Sequence, residues 1–287
     1  MGAALGKSLG YAAIAAGLLL NGLNVAGLLR PISEHSFGQG LATHKTNLDR
    51  PSYEASLDAL SQIDQSLPVE EQFSAVNRIM ASRIVHYWPK SHQIDTEVMH
   101  SPFENWVMAT AQRARAAARK PAKAEIARIG RRDHKRIMAK GVGLCGMAAL
   151  AVVDYLNAQG HTAKLLPLGN HVVAYASVDG RHFILDPDKA VFIADVPEPP
   201  ERSIPKIVQA YSEAGYQPKK LAQLQRQHEQ APMKLFPADR FQKRWRRTLM
   251  ATEILKWLLP AALIVLGAGL IWRGRHRIAR AGTGPKA

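Results

Sequence analysis

Cys145 is the only cysteine among 287 residues, and His171 and Asp186 follow it in the chain. A thiol, an imidazole and a carboxylate in that order are the parts of a thiol-nucleophile site. The imidazole takes the thiol proton and returns it to a leaving group, while the carboxylate fixes the ring. A lone thiol excludes an intrachain disulfide and any multi-thiolate zinc centre. The eleven histidines show no His-Glu-x-x-His or comparable ligand spacing, so neither a metal nor a cofactor is expected.

The flanking residues indicate how such a site would be positioned. Gly141 and Gly143, just before Cys145, allow a tight loop. Met147, Leu150, Ala151 and Leu156 then recur at helical spacing, and Gly160 supplies a stop. Cys145 is therefore expected at or beside a helix N-terminus. There, backbone N–H groups and the helix dipole favour a thiolate and can stabilise an oxyanion.

Thr162 to Leu168 and His171 to Val178 read as strands around a Gly169-Asn170 turn, and Asp179-Gly180 signals a two-residue hairpin before Arg181 to Leu185. With that turn Val178 pairs with Arg181, and counting outward sets Val173 opposite Asp186 and His171 opposite Asp188. Alternation then puts His171, Val173, Ile184, Asp186 and Asp188 on one face. His171 and Asp186 become diagonal neighbours within hydrogen-bond reach, with Asp188 as the alternative partner. A helix starting at Cys145 and packed on that face would bring the thiol to the imidazole. Singly, a buried cysteine, a core histidine and a turn aspartate are ordinary. The ordered triple on compatible elements points to catalysis.

Gly-Val-Gly-Leu-Cys145-Gly, Gly-Asn-His171-Val-Val and Ile-Leu-Asp186-Pro-Asp resemble the three motifs of the transglutaminase-like superfamily, a papain-like thiol fold. Ile79 to Tyr87 resembles the helix leading into that domain, and the likeness covers about residues 70–195. It implies an α+β domain whose cysteine helix packs on an antiparallel sheet, with Cys145, His171 and Asp186 catalytic. Members include cross-linkers, peptidases and amidases, and some have lost activity. The Phe103-Glu104-Asn105-Trp106 cluster and Asp186-Pro187-Asp188 resemble membrane-tethered bacterial relatives associated with envelope polysaccharide production. An oxyanion-stabilising side chain ahead of the cysteine is also implied; Trp106 and Asn105 are the residues to consider, and neither is assigned.

Around this core the chain reads as follows. Residues 8–29, uncharged from Leu9 between Lys7 and Arg30, are long enough for an uncleaved transmembrane anchor. Residues 30–52 read as a linker. Residues 53–242 read as the transglutaminase-like domain, with its motif core at 141–188. Within it, Leu57, Leu60 and Ile63 mark one helix. Phe73, Val76, Met80 and Ile84 mark a second, which ends at a core-packing aromatic stretch, Tyr87 and Trp88 before Pro89. Ile204 to Gln230 reads as a helical covering segment. Residues 249–272, with Trp257 and Trp272, read as a second transmembrane helix, and 273–287 as a basic tail. Charge bias places both short tails in the cytoplasm and exports the middle domain, although Lys243, Arg244, Arg246 and Arg247 argue the other way.

The net charge of +15 suggests anionic partners. Between Arg113 and Lys140, eleven Lys or Arg stand against Glu125 and Asp133. This segment, 113–140, reads as a solvated helical face whose functional alternative is contact with anionic lipid or polysaccharide. It lacks aromatics for base stacking, so nucleic acid is not an expected partner. The expectation is a thiol enzyme in the bacterial inner (cytoplasmic) membrane, its central domain extracytoplasmic. It would act on a peptide or amide-containing substrate through a thioester as a peptidase, amidase or acyltransferase. The alternative is a catalytically inactive scaffold or binding module in an envelope assembly.

Overall fold

The computed structural model describes residues 2–30, 50–86, 100–118, 133–169, 171–216, 226 and 233–282. In chain order the elements are α1 (Gly2–Leu29), α2 (Tyr53–Ser61), α3 (Val69–Arg83), β1 (Val85–His86), α4 (Pro102–Ala117), α5 (His134–Lys140) and β2 (Val142–Gly143). There follow α6 (Cys145–Ala158), β3 (Thr162–Leu168), β4 (His171–Val178), β5 (Arg181–Asp186), β6 (Val191–Ile193), α7 (Ile204–Glu213) and α8 (Ala238–Gly282). They fall into two compact units. One comprises Met1–Pro31, His100–Ala118 and Arg247–Ala287, and the other Ile32–Met99 and Arg119–Arg246. Five expected features lie wholly or partly outside the described residues: most of the 30–52 linker, the Tyr87-Trp88-Pro89 stretch, the middle of the basic segment (119–132), the far part of the Ile204–Gln230 segment (217–225 and 227–230), and the last five residues of the tail.

The second unit is mixed helix and sheet, as expected. Its larger sheet has four antiparallel strands in the order β3-β4-β5-β6. The β4–β5 turn has Asp179 at φ 49° and Gly180 at φ 75°, positive at both central positions as a twist-matched two-residue hairpin requires. Pairing runs from Val178↔Arg181 to Ala174↔Leu185, the register counted from the sequence, and stops there. Asp186 is paired instead with Val191 of β6.

Both faces of the sheet are buried. Leu165, Ala174, Ala176, Phe183 and Leu185 meet α6, whose residues from Gly146 to Leu156 are almost all buried. Val173, Tyr175, Ile184 and Val191 meet Ile207 and Tyr211 of α7. The cysteine helix therefore lies on the face opposite to the one expected. A short, alanine-rich and mostly apolar helix suits the small, flat surface of Ala174 and Ala176. The covering segment read from Ile204 onward takes the other side as α7, ending at Glu213.

The loop before Cys145 is held from behind. Gly141 closes α5 in the left-handed conformation (φ 64°), and its N–H donates to Ile137 O at 3.1 Å. A Cβ at Gly143 would lie 2.9 Å from Met147 Cβ, so only glycine passes there. Val85 and His86 pair in parallel with Val142 and Gly143, tying the end of α3 to this loop. Arg83 is 2% exposed. It donates to Met138 O (2.7 Å), Ala139 O (3.2 Å) and Pro51 O (3.1 Å), and Arg50 donates to Gly141 O (3.0 Å). One buried guanidinium thus satisfies the last carbonyls of α5, which have no partner within their own helix.

In the first unit, Ala4–Leu29 and Arg247–His276 are long and apolar enough to cross a membrane, and little of either is buried. Leu19 is 75% and Val265 71% exposed, an apolar surface that water does not favour and lipid does. The two helices approach closely at glycines: a Cβ at Gly10 would sit 2.6 Å from Gly267 O, and one at Gly267 would sit 2.5 Å from Gly10 O. Pro260 has no N–H, which frees the Lys256 carbonyl from its helical bond. Asn24 Nδ2 donates to that carbonyl at 2.7 Å and Trp106 Nε1 at 3.3 Å. The stretch around α4, placed by sequence inside the middle domain, groups with the apolar helices for this reason.

Replacing Arg83 with Leu strips donors from three buried carbonyls at once and should destabilise the second unit by about 3 kcal/mol. Arg83→Lys should recover only part of that, because one ammonium cannot span the same acceptors. Denaturant unfolding of the purified chain measures both.

Candidate functional site

Cys145 is the first residue of α6, with Leu144 as an extended N-cap that offers no side-chain hydrogen bond. The thiol is half-buried and free. His171 opens β4, where it pairs with Leu168 of β3 and lies beyond the last β4–β5 pair. Asp186 closes β5 and is wholly buried. The three side chains are brought together: His171 Nε2 lies 2.6 Å from Asp186 Oδ2, and the Cys145 thiol lies close enough to the imidazole to raise its affinity for a proton. With Nε2 engaged by Asp186, Nδ1 is the nitrogen left to face the thiol. The meeting takes place past the end of the β4–β5 ladder, at the N-terminal mouth of α6. The helix need not cover the His171 face to deliver its first residue.

Asp186 accepts three donors. Oδ2 takes His171 and the hydroxyl of Tyr211 (2.5 Å), and Oδ1 takes the Asp188 N–H (3.1 Å). The last bond is an Asx turn across Pro187, local chemistry that an Asp-Pro-Asp sequence favours. Tyr211 reaches in from α7, and burial together with the Asp186 charge and hydrogen bond raises its hydroxyl well above the usual value. A phenol held so firmly protonated is a permanent donor to the carboxylate.

Asp188, the alternative partner, serves a different ring. Its Oδ1 hydrogen-bonds His86 Nδ1, and its Oδ2 lies 3.2 Å from Lys189 Nζ and 3.9 Å from His171 Nδ1. Burial pushes the Asp188 carboxyl up, but the His86 hydrogen bond and the charges of His86, Lys189 and His171 outweigh it and leave it below its usual value. Burial likewise pulls the His171 imidazole down. Hydrogen bonds to Asp186 and Cys145, and their charges, overcome this and raise it from 6.5 to about 10.

Sequence reasoning missed His86 and Tyr211. Tyr211 carries a legible signal, the apolar 204, 207, 208, 211 stripe of α7. His86 depends on a two-residue parallel pairing that no periodicity announces. Trp106 and Asn105 are committed elsewhere: Trp106 donates to Lys256 O, and Asn105 Nδ2 to Thr252 Oγ1 (3.2 Å) and Glu253 Oε1 (3.1 Å). One donor atom each from His171, Asp186 and Asp188 lies within 4.8 Å of the others, a spacing that could hold a cation. A cation there would have to displace donors, since Asp186 Oδ2 already accepts from His171 and Tyr211 and Asp188 Oδ1 is bonded to His86. No protein-family pattern, curated protein or solved structure matches the chain.

The folded state binds the His171 proton more tightly than the unfolded chain does. The resulting stability is therefore complete below the unfolded value of 6.5 and lost as pH rises through about 10. The melting temperature of the wild type should exceed that of His171→Gln most at pH 6, with the gap closing steadily towards pH 10. Thermal unfolding across that range checks the sign.

Proposed function

We propose that the chain is a membrane-anchored cysteine enzyme of transglutaminase-like type, acting on an amide or related acyl group through a thioester. The observation that carries this reading is the convergence of Cys145, at the mouth of α6, with the His171 imidazole, which is hydrogen-bonded from behind by the buried Asp186. An orienting carboxylate behind an imidazole in contact with a thiol is the arrangement that thiol acyl transfer needs. The cysteine helix resting on an antiparallel sheet is in keeping with the family resemblance of the three motifs.

In this mechanism His171 Nδ1 takes the Cys145 proton and the thiolate attacks the acyl carbon. Backbone N–H groups at the start of α6 face the developing oxyanion. His171 then gives its proton to the departing amine, the C–N bond breaks and a thioester remains. Water or a second amine attacks the thioester, His171 accepts its proton, and the thiol leaves as product forms. Asp186 holds the ring through Nε2 throughout. The peptide or amide substrate enters at the half-exposed thiol.

We place the protein in the bacterial inner membrane, with the thiol unit on the extracytoplasmic side and a role in envelope polysaccharide production. The two apolar helices and the charge of the short tails support this. The basic segment 113–140 would meet anionic lipid or polysaccharide there.

Alkylation of Cys145 against pH tests the site cleanly, because the chain has no other thiol. The wild type should react as a thiolate well below the free value of about 8.5, and His171→Ala should return it to that value. An ordinary thiol in both proteins would overturn the enzyme reading and leave an inactive scaffold. Reporter fusions within residues 31–51 should behave as extracytoplasmic and those after residue 287 as cytoplasmic; the reverse pattern would refute the placement.

A further inference from the structure

The site contains a second imidazole–carboxylate pair that the mechanism does not use. His86 stands at the end of β1, paired in parallel with Gly143, two residues before the nucleophile. From there its ring bonds Asp188, which lies two residues beyond Asp186. The Asp188 side chain is 1% exposed, and its second oxygen is 3.9 Å from Nδ1 of His171. Asp186 sits behind the catalytic imidazole. Asp188 sits beside the other ring nitrogen, Nδ1, which the mechanism above assigns to the thiol.

A carboxylate in that position acts on both members of the thiol–imidazole couple. It repels a thiolate, so the thiol loses its proton at higher pH, and it attracts an imidazolium, so the ring keeps its proton to higher pH. Both effects scale with how much of the Asp188 charge is left uncompensated. The groups facing Asp188 are His86 on β1, Lys189 on its own turn, His171 on β4, and the more distant Tyr211 on α7 and Asp186 on β5. Of the cationic partners Lys189 is partly exposed, where water screens it, whereas His86 is the hydrogen-bonded one.

We infer that His86, through Asp188, is a positioning residue that sets the pH window in which the Cys145–His171 couple exists as thiolate and imidazolium. The inference rests on the thiol–imidazole reading above. By tying Asp188 to the strand that braces the nucleophile loop, His86 also keeps that carboxylate from capturing the Nδ1 proton that the thiol needs.

The test is the full profile of Cys145 alkylation by iodoacetamide against pH in the intact membrane-embedded chain. The wild type should show two limbs, a lower one where the thiol ionises and an upper one where the imidazolium loses its proton. His86→Phe removes the donor and should move both limbs up by roughly one pH unit. His86→Gln, which keeps a donor, should lie between Phe and wild type. Asp188→Asn should move both limbs down, and His86→Phe combined with Asp188→Asn should match Asp188→Asn alone.

Mere damage to the site would weaken the ion pair and drive the limbs towards each other. That pattern, or limbs unmoved by every variant, overturns the inference while leaving the thiol reading intact. A single ordinary thiol step that ignores His171→Ala overturns both. Should His86→Phe fail to fold, the downward shift in Asp188→Asn decides the matter, and its absence refutes the proposal.

Discussion

Asp186 is the constraint on which the rest of the site depends. A carboxylate with no exposed surface is tolerable only if its oxygens find donors, since an uncompensated buried charge costs several kcal/mol. Here the donors come from β4 (His171), α7 (Tyr211) and the turn beyond Pro187 (the Asp188 N–H). Each arrives from a different element, so the sheet end, the covering helix and the turn must all be in place before the charge is satisfied. The apolar core on either side of the sheet supplies the burial that makes these bonds strong, and the bonds in turn fix where the ends of β4 and β5 lie.

Much of the local geometry was legible. The Asp-Gly turn dictated the β4–β5 register, because positive φ at both central positions leaves one way to pair the flanking strands, and the glycines at 141 and 143 announced a close-packed loop. The packing partner of each face was not legible. Strand parity says which residues share a face but not which helix covers it, and α6 and α7 are both apolar enough to do so. Packing α6 on the His171 face is the direct way to join thiol to imidazole. The structure joins them at the sheet end instead, where the β4–β5 ladder has stopped.

The same limit applies to the residues that pattern alone did not reveal. His86 enters the site through two parallel bridge pairs whose partners are 57 positions apart, Val85↔Val142 and His86↔Gly143. The membrane-type helices show a related case. Hydropathy located them, but the pairing of Asn24 and Trp106 with the Lys256 carbonyl follows from Pro260, four residues on, which withdraws the N–H that carbonyl would otherwise accept. A backbone group left unsatisfied in an apolar setting must be met by another element, so a single proline explains why two polar side chains point inward there.

The arrangement also fixes what each carboxylate can do. Asp186, buried behind the ring and held by three donors, is placed to orient and stabilise the imidazole. In the proposed mechanism proton traffic then runs through Nδ1 of His171, the ring nitrogen that Asp186 does not engage. Whatever shares the space beside Nδ1 then acts on the chemistry directly, and the nearest charged group there is Asp188. Two aspartates separated by one proline therefore have opposite relations to the same imidazole. One lies behind it and is locked by neutral and cationic donors, while the other lies beside its working nitrogen with its charge held by a second histidine. The rigid Asp-Pro-Asp turn makes that division possible, because it holds both carboxylates in fixed places at the end of the sheet.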